Sequence, residues 1–323
     1  MTKYKDIRGT HITTVTTDPP APVNGQMWYN STTQVMKGFT SSPAGTWSTA
    51  ANMNTARHSG IASAGANAEA ALGFGGGPPP APGAVAITEQ WNGSSWTEVA
   101  DLNTARALAG GAGNYTSAIA AGGDQYSGTS ESWNGSSWTN ITSSPNTGHT
   151  QQGAGSDNED AIIFGGSPHA TNNNSDYWNG SSWTELANLN TARQVGGGSG
   201  KTYTAALAIG GKNPSGVLAI NESYNGSSWT EVNDLNTARE YMGADGTQTS
   251  TLAFGGNNPP NLAVTESWDG TSWTETGDLN TARSYLGRGG ASNASALGFS
   301  GAPSAATEEF VSPTTSTVTF TAS

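Results

Sequence analysis

Short apolar runs closed by paired glycines alternate with aromatic-rich segments along most of this chain. The glycine pairs end at Gly76, Gly123, Gly166, Gly211 and Gly256, and a degenerate GFSG ends at Gly301. No 3.6-residue apolar period persists and glycine is dense, so the pattern predicts strands and no helix. Each unit reads as four short strands. Strand a follows an arginine, as in RALAGGAG; strand b ends in the glycines, as in SAIAAGG. Strand c carries Glu-x-Trp, as in TESW, and strand d carries a second Trp, as in SSWTEV. NGSS joins c to d, and Asn-Gly signals a hairpin because both residues accept positive φ.

The unit repeats. WNGSSW begins at Trp91, Trp133 and Trp178, with YNGSSW at Tyr224 and WDGTSW at Trp268. NTAR ends at Arg57, Arg106, Arg193, Arg239 and Arg283, and its sixth copy, NTGH, ends at His149. Successive copies stand 43 to 49 residues apart, a period that suits a four-stranded propeller blade. The expected fold is therefore all-β, a β-propeller of six four-stranded blades. Gly and Ala on strands a and b let backbones converge on an axis, while Trp fills the widening space between outer strands. The last unit lacks its own strand d. Trp47 stands 10 residues before Arg57, the interval that also separates Trp96 from Arg106. Residues 46–50 are expected to supply the missing strand, so that N- and C-terminal strands pair and no edge is left free. The alternative is seven blades: residues 10–17, 26–30, 34–39 and 46–49 would form a divergent blade, and TSTVTFTA would complete the sixth. The six-blade reading divides the chain into an N-terminal arm (1–45), a propeller (46–311) and a C-terminal strand or tail (312–323).

An apolar run ending in Gly-Gly, then an aromatic, then Trp, then Arg resembles the Kelch repeat, over about residues 46 to 311. The NGSSW and LNTAR wording departs from common Kelch repeats. With the segment GQMWYNSTTQVMKGFT at 25–40, it is similar to Kelch-like virion proteins of marine and cyanobacterial tailed phages. That resemblance implies a non-enzymatic virion structural protein, a tail or capsid appendage made in the host cytoplasm. Its terminal segments would contact other virion proteins, and its loops would meet a host surface glycan or protein. A fold does not fix a partner, and two further readings stand beside this one: a lectin-like propeller with Trp pockets for sugars, and a glycosidase.

Charge and chemistry narrow the choice. The 323 residues carry a net charge of −12, which disfavours a phosphate-binding surface and hence nucleic acid. No Cys is present, which excludes disulfides and thiolate metal sites. The segment MTKYKDIRGTHITTV has no apolar core of a signal peptide, and no 18-residue apolar stretch predicts membrane insertion. No GxSxG motif occurs, the histidines lack metal-ligand spacing, and the glycine runs precede no helix. Ser267-Trp268-Asp269-Gly270 places its Gly one residue early for a sialidase Asp-box. No cofactor, metal or catalytic set is expected.

Glu precedes the strand-c aromatic by two residues at Glu89, Glu131, Glu222, Glu266 and Glu308, on the same strand face. The third unit changes two positions together, with His149 for Arg and Asp176 for Glu. This covariation inside one chain predicts partly buried pairs: Arg57 with Glu89, Arg106 with Glu131, His149 with Asp176, Arg193 with Glu222, Arg239 with Glu266, and Arg283 with Glu308. Guanidinium and carboxylate suit such a role because they can share two hydrogen bonds. The b–c loops vary most. From the last Gly to the aromatic they span 15, 10, 12, 13, 12 and 9 residues. Antiparallel order puts them on one face with the d–a loops, and variable loops on a rigid scaffold suit recognition. Candidate contacts there are Tyr126, His169, Asn172, Asn173, Lys212 and Asn257.

Overall fold

The computed structural model describes residues 12–320 except 24, 42–44, 58–61, 78–82, 124–128, 146–151, 168–171, 195, 303 and 313–314. The described chain is all-β, with seven four-stranded sheets. It divides into two units, Met1–Gly45 with Ser312–Ser323, and Thr46–Val311.

The first unit holds one sheet. β1 (Thr13–Val15), β2 (Met27–Asn30) and β3 (Val35–Ser41) are followed in the order by the last strand of the chain, β28 (Thr315–Phe320). β1 runs parallel to β2, and the other pairs are antiparallel. Trp28 is buried, and its indole N–H donates to Asp18 at 3.0 Å. Asn30 and Lys37 also donate to that carboxylate. These three donors hold Asp18 down at a pKa of about 2.

The second unit holds the other six sheets, all antiparallel. β4 (Thr46–Ala50) comes first in the chain, and the sheet of β5 (Ala62–Asn67), β6 (Ala70–Phe74), β7 (Thr88–Trp91) and β8 (Trp96–Val99) follows. Next come β9 (Gly110–Asn114), β10 (Ser117–Ala121), β11 (Ser130–Trp133) and β12 (Trp138–Ile141), then β13 (Gln152–Asp157), β14 (Asp160–Phe164), β15 (Ser175–Trp178) and β16 (Trp183–Glu185). β17 (Gly197–Thr202), β18 (Ala205–Asn213), β19 (Gly216–Tyr224) and β20 (Trp229–Val232) form the fourth. β21 (Gly243–Thr247), β22 (Ser250–Phe254), β23 (Thr265–Trp268) and β24 (Trp273–Glu275) form the fifth. The sixth contains β25 (Gly287–Ser292), β26 (Ser295–Phe299) and β27 (Thr307–Val311), and its outer strand is β4, with Phe310 opposite Trp47. Residues 46–50 thus pair with the third strand of the sixth repeat, as expected, whereas the strand in TSTVTFTA pairs with β3 rather than completing the sixth sheet.

Small residues permit the innermost strands to meet. β5, β9, β13, β17, β21 and β25 pack each against the next, and β25 packs against β5. A Cβ on Gly111 would lie 2.4 Å from the carbonyl oxygen of Ser63, and one on Gly153 would lie 2.6 Å from that of Gly111. Only glycine tolerates that approach. Outward, the two Trp positions of a repeat have different jobs. The strand-c indole donates to a carbonyl of its own a–b turn: Trp91 to Ala68, Trp133 to Tyr115, Trp178 to Asn158 and Trp268 to Gln248. The strand-d indole instead crosses to the preceding sheet's strand c. Trp138 donates to Thr88 at 3.1 Å, Trp96 to Thr307 at 2.9 Å, Trp47 to Thr265 at 3.0 Å and Trp229 to Ser175 at 3.1 Å. Trp183 donates instead to the carbonyl of Thr142, and the buried N–H of Trp273, in whose preceding sheet Asn221 stands at the hydroxyl position, finds no partner. The c–d connection differs from the expected Asn-Gly turn in one respect. Gly93 alone is left-handed, at φ 88°, while Asn92 Oδ1 accepts the N–H groups of Ser94 and Ser95. The same cap recurs at Asn134, Asn179 and Asn225.

Candidate recognition face

The repeated arginine lies at the end of the segment that leads into each sheet, and the repeated glutamate lies on strand c of that sheet. The charged groups meet at 3.1 Å for Arg57–Glu89, 2.7 Å for Arg106–Glu131, 3.1 Å for Arg239–Glu266 and 2.7 Å for Arg283–Glu308. Arg193 and Glu222 form the same contact. All ten residues are buried. Each pair is also bonded to the backbone. Glu131 accepts from the N–H groups of Asn103 and Thr104 and from the Asn103 side chain. Arg106 donates to the carbonyls of Gly122 and Thr129. The NTAR wording is thereby explained: Asn and Thr supply N–H donors, Asn reaches the strand-d Trp carbonyl, and Arg completes the set. Burial lowers Arg57 and Arg239 to about 10 against the opposing pull of their glutamates. Nε of Arg57, Arg106, Arg239 and Arg283 has no acceptor. In the third unit Asp176 accepts from Ser144 at 2.5 Å; His149, its expected partner, lies outside the described residues.

The b–c and d–a connections share one end of the second unit. Their candidate contacts do not form one site. Asn172 is only 8% exposed, and its side-chain oxygen caps the N–H of Asn174. Asn173 donates to the carbonyl of Leu189. The Asn172 amide thus shapes its own loop, and the Asn173 amide ties that loop to the segment after β16. Lys212 is not on a loop: β18 and β19 extend through KNPSG as a hairpin, and Lys212 pairs with Glu240 at 3.4 Å. Asn257 donates to Asn261 at 2.7 Å and its backbone bridges that of Glu240. Lys212 and Asn257 are thus joined through Glu240, whereas Tyr126 and His169 lie outside the described residues.

Two features of this end were missed in the sequence. The residue two places after the repeated arginine is left-handed without being glycine: Leu108 at φ 58°, Tyr241 at 53° and Tyr285 at 60°. Tyr241 and Tyr285 stack, with ring centroids 4.0 Å apart and planes at 25°. The Tyr285 N–H also donates to the Tyr241 carbonyl at 2.8 Å. Burial, with a hydrogen bond to its neighbour Tyr241, pushes the Tyr285 phenol well above its ordinary value.

The second feature lies between the inner strands. A small cavity of about 20 Å³ is lined by all six, and of its lining residues only Lys201, Asp245 and Arg288 bring charge to it. Lys201 reaches from β17 to Asp245 at 2.8 Å and to the carbonyls of Gly65 and Gly290. Arg288 reaches from β25 to Gln152 at 3.1 Å and to the carbonyl of Gly153 at 2.8 Å. Each cation therefore spans to the strand three repeats away. Among the described residues no cluster of His, Asp and Glu has the form of a metal site. No protein-family model matches the chain, and a search of curated proteins finds none similar to it.

Proposed function

We propose that the chain is a closed six-bladed, Kelch-like ring that serves as a non-catalytic module of a tailed-phage virion. The unit built from both terminal segments attaches it to other virion proteins, and the loop end faces the host. The observation that carries the non-catalytic reading is the engagement of the repeated glutamates. Glu89, Glu131, Glu222, Glu266 and Glu308 each hold a backbone N–H as well as an arginine, which is scaffold chemistry rather than an open acid–base pair. The virion assignment rests on the WYNST and NGSSW/LNTAR resemblance.

A lectin that binds sugars on Trp between blades is disfavoured, since nine of the strand-c and strand-d indoles are buried: Trp47, Trp91, Trp96, Trp133, Trp138, Trp178, Trp229, Trp268 and Trp273. The test is immunogold labelling of purified particles with antibody raised against residues 46–311. Regular decoration at one particle site is expected. Antibody that recovers the chain from infected-cell lysate but never from particles would overturn the assignment.

A further inference from the structure

The left-handed position after the repeated arginine is a place where this chain should use glycine. It does so elsewhere: Gly75, Gly76, Gly122 and Gly123 all have positive φ, as do the corresponding pairs of the next repeats. A side chain at positive φ is strained, and a bulky one is a genuine outlier. Yet the three described positions are Leu108, Tyr241 and Tyr285, with neither Gly nor Asn among them. In a chain with 44 glycines, the strain is retained for what these side chains do. At two adjacent repeats the side chain is a half-buried tyrosine, and the two rings form one stacked platform.

Polar groups surround that platform. Glu240 precedes Tyr241 and Ser284 precedes Tyr285. Glu240 bridges to Asn257 and Ser284 to Ala302, and Asn261 donates to the Ala302 carbonyl at 3.4 Å. Asn257 and Asn261 are partly exposed and Asn258 is exposed. Lys212 reaches the same carboxylate from β18. Aromatic faces beside partly exposed amides suit a ligand with apolar C–H faces and a rim of hydroxyls. We propose that Tyr241 and Tyr285, with the Asn257–Asn261 loop, form a binding site for a neutral pyranose unit of a surface polysaccharide. This deepens the recognition role proposed above by naming its site and ligand class, and it differs from the buried Trp positions.

The experiment is saturation-transfer NMR on the full chain with trisaccharides of glucose, galactose, mannose and N-acetylglucosamine. At least one is expected to receive saturation at its ring C–H protons. Tyr241→Asn and Tyr285→Asn remove the ring while placing a residue that accepts positive φ. Each is expected to weaken binding tenfold or more without lowering the melting temperature. Tyr177→Asn, at the separate Tyr177–Tyr203 stack, is expected to leave binding unchanged. No transfer to any of the four sugars overturns the proposal. So does equal weakening by Tyr177→Asn. A marked loss of stability in both Asn variants assigns the rings to packing and overturns it as well. Binding by the isolated chain does not depend on particle location, so failure here and failure of the virion assignment are separately visible.

Discussion

Replacing Glu131 with Gln preserves its size and changes its chemistry. Oε1 accepts from Arg106 Nη2 at 2.7 Å and Thr104 N at 3.2 Å, while Oε2 accepts from Asn103 N at 2.7 Å and Asn103 Nδ2 at 3.0 Å. Every partner is a donor. A glutamine must point its own NH₂ at one of these two sets, so two hydrogen bonds become donor–donor contacts. Hydrogen bonds to a charged group contribute about 1.5–3 kcal/mol each, which gives roughly 3–6 kcal/mol for two. Viewed from the arginine, leaving a buried charge unpaired costs about 3–5 kcal/mol. These are two views of one loss and do not add. The expected destabilisation is about 4 kcal/mol, equivalent to a fall of roughly 8–16 °C in melting temperature for a unit of this size. Tryptophan fluorescence in urea reads it, because Trp138 follows the same segment. Glu98→Gln, on an exposed site opposite Glu89, is the control and should stay within about 0.5 kcal/mol. Adding Arg106→Met to Glu131→Gln should cost less than the sum of the two single changes, since the orphaned charge disappears. A Glu131→Gln protein within about 1 kcal/mol of the parent, at unchanged m, would refute the view that these pairs hold the repeat together.

Three further outcomes are expected. Gly111→Ala forces a Cβ against the Ser63 backbone and should prevent or severely weaken folding, whereas Gly83→Ala, with nothing within 4 Å, should be silent in circular-dichroism melting. Asp18 has a folded pKa of about 2, below its ordinary 3.8, so its contribution to the terminal sheet is complete above about 4 and is lost as pH falls toward 2. A Trp28 emission change across that window, abolished by Asp18→Asn, checks this; an identical acid profile in the variant contradicts it. Lys201→Met deletes three hydrogen bonds across the inner strands and should lower stability by about 1–2 kcal/mol in urea, with part recovered when Asp245→Asn is added.

What was legible in the sequence was whatever the repeat states more than once. Arg57, Glu89 and their equivalents recur at fixed spacing, and the paired change at His149 and Asp176 exposed their relation. Trp47 could be placed in the last repeat because its interval to Arg57 matched the others. What escaped were features that break the repeat. Lys201, Asp245 and Arg288 each stand once, at different registers of strand a, so only the coordinates bring them together. Tyr241 and Tyr285 sit at a position that reads as drift until its backbone angle is known. Asn172 and Asn173 read as available polar loop residues, but their amides bond a backbone group of their own loop and one of the segment after β16. KNPSG carried proline and glycine typical of a loop, yet the preceding and following residues kept pairing as a hairpin.

The near-identity of the repeats also creates a sorting problem during synthesis. Most outer strands find their partner within four residues, through a capped Asn-Gly hairpin. β4 has no such hairpin; its partner β27 is the last strand of its unit to leave the ribosome. Until then its TWSTA stretch is an unpaired edge amid several TESW-like strands of matching pattern, the circumstance in which repeat proteins misassemble. Two features mark the rightful mate: TEEF replaces the usual Trp with Phe310, and its own side has no hairpin strand to compete. Maturation of this unit is thus gated by β27, and an early stop before Thr307 would release a sticky, open-ended product rather than a slightly shorter one.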